Sequence, residues 1–143
     1  MVTGNIKINM NGTALNKVLI IDDDSKNVFA LSVTLRVKGY NVVTASSARQ
    51  ALQLLNGDDA ISIILSDIMM PDIDGFDLIK MIRDQQQFKD IPVIAVTAQA
   101  MAEDRERCIQ AGASAYISKP VDVDILLSLL HKYKIAGSEN NGK

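Results

Sequence analysis

Two kinds of hydrophobic pattern alternate along this chain. Short unbroken apolar runs read as buried strands: Lys17 to Ile21, Tyr40 to Thr44, Ile61 to Leu65 with its continuation to Asp67, Pro92 to Val96, and Ser114 to Ile117. Such runs are what parallel strands covered on both faces require. Between them lie segments with a one-sided apolar stripe, which predict helices. The first carries Val28, Leu31 and Leu35, can be capped by Asp24 or Ser25, and ends near Gly39. The second carries Ala48, Ala51, Leu52 and Leu55 and stops at Asn56-Gly57. The third, about Phe76 to Gln86, buries Leu78, Ile79 and Ile82 and follows a loop broken by Pro71 and Gly75. The fourth, about Ala102 to Ala111, is the most polar, with Glu103, Asp104, Arg105, Glu106 and Arg107 in succession. The last sets Leu126, Leu129, Leu130 and Tyr133 on one stripe.

Five β–α units with right-handed crossovers predict an α/β fold, a doubly wound five-stranded parallel sheet. The strand order 2-1-3-4-5, one of the two common choices for such sheets and the one expected here, places its topological switch point between strands 1 and 3. The repeat-free pattern covers residues 17–134 as one domain. Residues 1–16, rich in Asn and Gly, read as an N-terminal tail or linker, and 135–143 as a C-terminal tail.

Composition narrows the function classes. The chain has 143 residues, 48% of them hydrophobic, enough for one full core. Its net charge of -2 and lack of a basic block argue against direct nucleic-acid binding. No signal-peptide pattern opens the chain, and no apolar stretch approaches the ~20 residues that span a bilayer. The expected location is the cytoplasm, with no membrane contact by this segment. The single cysteine, Cys108, excludes an internal disulfide and reads as a small helix residue. The single histidine, His131, lies between stripe positions of the last helix and reads as a surface or helix-end residue.

The polar residues at the strand ends change the picture. Asp22-Asp23 follows VLII, Asp67 follows IILS, Thr97 ends VIAVT, and Lys119 follows the fifth strand. In a parallel α/β sheet these ends lie side by side, and ligands bind in the crevice outside them. Consecutive acids there repel one another, and burial raises their pKa values; a bound cation relieves both penalties. An all-oxygen donor set suits Mg²⁺, and the absence of a His or Cys cluster disfavours a softer metal. Asp67 is the candidate nucleophile for an aspartyl phosphate. Lys119 can neutralise phosphoryl oxygens as a compact charge, and Thr97 can donate to one. Pro120 makes the Lys119-Pro120 bond a candidate for the cis form, which would fix the direction of the lysine. Asp24 reads best as a helix cap.

Four segments, VLIIDDD, LSDIMMPDIDG, PVIAVTA and GASAYISKP, occur in an order and spacing that resemble the receiver (response-regulator) domain of two-component signalling. The resemblance covers about residues 17 to 134 and implies a flavodoxin-like receiver fold. It further implies that Asp67 accepts phosphate from a histidine of a sensor histidine kinase or histidine-phosphotransfer protein. It maps the metal site to Asp22, Asp23, Asp67 and the backbone carbonyl of Met69. Lys119 becomes the phosphate-binding lysine, and Thr97 and Tyr116 the switch pair. The output face, read by an unknown downstream protein, is the fourth helix, fifth strand and fifth helix. Met69 and Gln99 fall where side chains influence water attack on the acyl phosphate; apolar Met69 is expected to prolong it relative to Met69→Asn. Such a domain is a signalling module rather than an enzyme, catalysing only its own aspartyl phosphorylation and dephosphorylation. It stands alone or serves as the receiver of a hybrid histidine kinase.

Two other readings compete. Asp22-Asp23-Asp24 is also the D-x-D of a haloacid-dehalogenase-like phosphatase, with Asp22 as nucleophile and Asp24 as acid/base. That reading leaves Asp67 idle and lacks an acidic pair after Lys119. The other is a pseudo-receiver, an interaction module that is never phosphorylated, which the full set of reactive residues disfavours.

Overall fold

The computed structural model describes residues 17–58, 60–70, 73–98, 102–133 and 135, together with a two-residue antiparallel pairing of Val2–Thr3 with Ile6–Lys7. Most of both segments read as tails lie outside the described residues, as do Pro71, Asp72 and Gln99.

Strands and helices alternate without exception from Lys17 onward: β1 (Lys17–Ile21), α1 (Ser25–Val37), β2 (Asn41–Ala45), α2 (Ala48–Gly57), β3 (Ile61–Asp67), α3 (Gly75–Asp84), β4 (Val93–Thr97), α4 (Ala102–Ala111), β5 (Ala115–Ser118) and α5 (Val123–Lys132). The five strands form one parallel sheet in the order β2-β1-β3-β4-β5, the doubly wound arrangement expected from the apolar pattern. Alternate strand residues feed two cores. Leu19, Ile21, Ile64 and Ala95 pack on the side of α2, α3 and α4, whereas Val18, Ile20, Leu65 and Val96 pack on the side of α1 and α5. Every residue of β3 is buried, because it lies between β1 and β4 and is covered on both faces.

Local chemistry starts α1, α2, α3 and α5 where their cap residues stand. The Asp24 carboxylate accepts from the N–H groups of Lys26 and Asn27, Ser47 Oγ from Gln50, Asp74 from Phe76, and Asp122 from Asp124 and Ile125. After α1 the chain turns through Gly39 at φ 94°, a conformation that favours glycine. Boundaries differ from the sequence reading by a residue or two. The third helix ends at Asp84, because Gln85 adopts extended backbone and a 3₁₀ turn, Gln86–Phe88, follows. β2 and β5 each start and end one residue later than the apolar runs do, because pairing with β1 and β4 sets their register.

Candidate functional site

The β-ladder itself carries the polar residues to one place. Pairing continues past the strand ends: Asp22 N–H donates to Ala45 O at 3.0 Å, Ile68 N–H to Val96 O at 3.0 Å, and Lys119 N–H to Thr97 O at 2.8 Å. Asp67 pairs with Val96, one step before Thr97, and Thr97 pairs with Ser118, one step before Lys119. The side chains that follow therefore emerge at neighbouring strand ends.

Asp22, Asp23 and Asp67 each bring a carboxylate oxygen to within 4.8 Å of the other two. Asp22 and Asp67 are buried, with 5% and 3% of their surface exposed, while Asp23 faces solvent. Lys119 Nζ lies 3.2 Å from Asp67 Oδ2 and 3.7 Å from Asp22 Oδ2. Backbone donors aim the two buried carboxylates: Asp24 N–H donates to Asp22 Oδ1 at 2.9 Å, and Met69 N–H to Asp67 Oδ1 at 3.1 Å. The peptide bond between Lys119 and Pro120 is cis.

Charges here are unevenly compensated. Burial pushes the Asp22 carboxyl above its ordinary value; the Asp24 N–H opposes this, the charge of Asp67 adds to it, and Lys119 offsets only part. For Lys119, burial alone would favour loss of the proton. Its hydrogen bond and ion pair with Asp67, then the charges of Asp22 and Asp24, outweigh burial and hold the ammonium above its ordinary value. Three carboxylates against one ammonium form an electronegative cup of hard oxygens, a donor set suited to a divalent cation. The cup adjoins a cavity of about 250 Å³ between α1 and α5, walled by Leu31, Val96, Pro120 and Val121.

Thr97 is buried at the end of β4, and Tyr116, two residues before Ser118 on β5, is half-buried with the Arg105 guanidinium 5.1 Å from its ring centroid. The Met69 side chain is 71% exposed beside the cup. Asp24 stands apart in role: its carboxylate caps α1.

The geometry thus groups the Asp22-Asp23 pair, Asp67 and Lys119. The sequence reading took Gly75 only as a loop breaker. A Cβ there would come within 2.5 Å of Ile68 Cα and 2.8 Å of Asp67 O, so glycine is what lets α3 start directly against the end of β3. The Asp74-Gly75 pair, seven and eight residues after Asp67, is the signal that points to this contact. Arg105 has no such signal, since its aromatic partner lies eleven residues away on another element.

The family model for the response regulator receiver domain matches residues 18–131. This chain belongs to the response regulator receiver family. Among curated relatives of this receiver domain, the sensor histidine kinase RcsC of Salmonella typhimurium is 40% identical over 116 residues, which make up 81% of this chain and 12% of RcsC. The polar-differentiation response regulator DivK of Brucella ovis is 35% identical over 116 residues, covering 81% of this chain and 94% of DivK. Among solved structures, the chemotaxis protein CheY4 of Vibrio cholerae superposes on the receiver domain with a TM-score of 0.79 at 32% identity, covering 84% of this chain and 99% of CheY4. No helix among the described residues is long and apolar enough to cross a membrane.

Proposed function

We propose that this receiver domain accepts a phosphoryl group on Asp67 from a phosphohistidine of a sensor histidine kinase or histidine-phosphotransfer protein, in the cytoplasm. The observation that carries the reading is the convergence of Asp67 with two further aspartates and with Lys119 Nζ at 3.2 Å. Asp67 Oδ forms the new bond to phosphorus as the P–N bond of the donor breaks, and the electron pair leaves with the imidazole nitrogen, which takes up a proton. Asp22, Asp23, Asp67 and the backbone carbonyl of Met69 would hold Mg²⁺. When bound, Mg²⁺ supplies the positive charge that offsets the carboxylates and the phosphoryl oxygens. Lys119 would hold a phosphoryl oxygen, a charge-assisted contact that strengthens as the oxygens gain charge. Thr97 donates its hydroxyl to another oxygen, and Tyr116 follows it to alter the surface of α4, β5 and α5, where a downstream protein reads the state.

The phosphatase alternative needs Asp24 as acid/base, yet the Asp24 carboxylate accepts two N–H groups at the start of α1. Autoradiography of the chain with radiolabelled acetyl phosphate, with and without Mg²⁺ and beside Asp67→Asn, tests the proposal. Mg²⁺-dependent label that is lost in Asp67→Asn is the expected result. Label that survives Asp67→Asn, or no label at all, would refute it.

A further inference from the structure

Among the described residues, α4 contributes no large apolar side chain to the core. It buries only Cys108 and Ala111, and its largest aliphatic side chain, Ile109, is 52% exposed. Two arginines supply other ties. The Arg107 guanidinium lies 4.1 Å from the centroid of the Phe76 ring at the start of α3, and that of Arg105 lies 5.1 Å from the Tyr116 ring on β5. Residues two apart on a helix point about 200° away from each other. The pair therefore grips two different elements, and α4 straddles them.

The Tyr116 contact bears on the cup through the sheet. Residues paired across parallel strands share a face, and so do alternate residues along one strand. Tyr116 pairs with Ala95, and Ser118 with Thr97, so Tyr116 and Thr97 lie on the same face of neighbouring strands. That face carries the core beneath α3 and α4, and Tyr116 packs at its margin. On the switch reading proposed above, the ring has two places: outward under the guanidinium, as it stands here, or inward toward the side of Thr97.

We propose that Arg105 is a positioning residue for the switch: its guanidinium, seated on the Tyr116 ring, holds that ring in its half-exposed place and pins α4 to β5, so that displacing either one frees the other. This rests on the reading of Thr97 and Tyr116 given above. A cation over an aromatic face at an exposed site is a weak contact. That weakness suits a latch, since a modest change at the cup suffices to open it.

The chain contains three tyrosines, Tyr40, Tyr116 and Tyr133. Incorporating 3-fluorotyrosine into the full chain gives each its own fluorine resonance, with Tyr116 assigned by Tyr116→Phe. The comparison is wild type, Arg105→Gln, Arg105→Lys and the neighbouring charge control Glu106→Gln, each free and with Mg²⁺ and beryllium fluoride, a phosphoryl mimic. In the free protein, Arg105→Gln is expected to move the Tyr116 resonance toward its position in the loaded wild type. It should also speed amide exchange along α4 about two- to five-fold, the effect of losing one exposed cation–aromatic contact. Arg105→Lys should stay near wild type, and Glu106→Gln should match it. An unmoved Tyr116 resonance in Arg105→Gln, or an equal shift in Arg105→Lys or Glu106→Gln, would overturn the proposal. The free-protein arm needs no phosphoryl group and so tests the latch alone. Absence of a bound beryllium fluoride resonance would count against the acceptor reading instead.

Discussion

The two ends of the sheet treat charge in opposite ways. At the carboxyl ends of the strands, Asp22, Asp23 and Asp67 face one ammonium, and burial pushes the Asp22 carboxyl up. At the amino ends, a single guanidinium is fully engaged. Arg83 donates to the carbonyls of Gly112, Phe88, Lys89 and Ile91 and to Ser114 Oγ, joining α3, the 3₁₀ turn and the entries to β4 and β5. Lys17 and Asp58 form an ion pair at 2.6 Å, and the Asp58 carboxyl lies below its ordinary value: burial would raise it, but the Lys17 hydrogen bond, the Ala60 N–H and the Lys17 charge together outweigh burial. One end satisfies its polar groups and contributes stability. The other keeps an uncompensated negative charge and thereby a demand for a cation. The proposed function lies where the fold leaves an electrostatic cost standing.

The comparison can be broken most sharply at Lys119. Arg cannot reproduce a compact ammonium between two carboxylates. Lys119→Ala and Lys119→Arg should both lose roughly 10²-fold in the rate of Mg²⁺-dependent labelling, measured by autoradiography. Rates within a few-fold of wild type would remove Lys119 from the site.

At the other end, Arg83→Ala removes the side-chain donor from five acceptors, most of them half-buried. It should cost about 2–4 kcal/mol in urea unfolding, with little effect on the labelling rate of the folded fraction. Arg83→Lys should recover only part, because an ammonium lacks the planar fork. Unchanged stability in Arg83→Ala would show that the engaged end does not carry the load assigned to it.

Asp22→Asn should move the two properties in opposite directions. Labelling falls, whereas the metal-free protein gains on the order of 1 kcal/mol at neutral pH from the removal of a buried charge beside Asp67. The pH dependence follows from the sign of the shift. The folded-state pKa of Asp22 lies above its ordinary 3.8, so the folded state binds the proton more tightly. Stability of the metal-free wild type therefore falls as pH rises from 3.8 through the raised value. Thermal melts of the two proteins across this range should converge toward low pH. A constant difference at all pH values would contradict the account.

Asp58 has the opposite sign and a smaller effect. Its folded-state pKa is lowered, so its contribution is present above 3.8 and disappears as pH falls through the folded value. Both partners of the Lys17 pair are about a quarter exposed, so Asp58→Asn should cost no more than about 1 kcal/mol at neutral pH in urea titration. A larger loss would place Asp58 among the principal supports of that end.

Legibility in the sequence divides along the same line. The acid cup was readable because its residues sit at the ends of unbroken apolar runs, and parallel topology brings those ends together whatever else the chain does. The helix caps were readable for a similar local reason, and of the two candidates Asp24 and Ser25 it is Asp24 that caps α1. The Arg83 hub was not: four of its five acceptors are backbone carbonyls, which every residue possesses, so no residue type marks them. The third helix read too long because Gln85 and Gln86 are good helix formers by propensity, while the approach to β4 takes the chain out of the helix at Gln85. The arginine–aromatic contacts of α4 escaped for want of any fixed spacing between a cation and a ring on different elements. A run of five charged residues reads as a solvated face, yet two of those five lie against rings.

The most direct test of the central claim is chemical mapping of the acyl phosphate. Borohydride reduces an aspartyl phosphate to homoserine, which peptide mass spectrometry locates by residue. After incubation with acetyl phosphate and Mg²⁺, the account predicts homoserine at position 67 alone, and none when the metal is chelated. Homoserine at position 22, or none at any position, would contradict it.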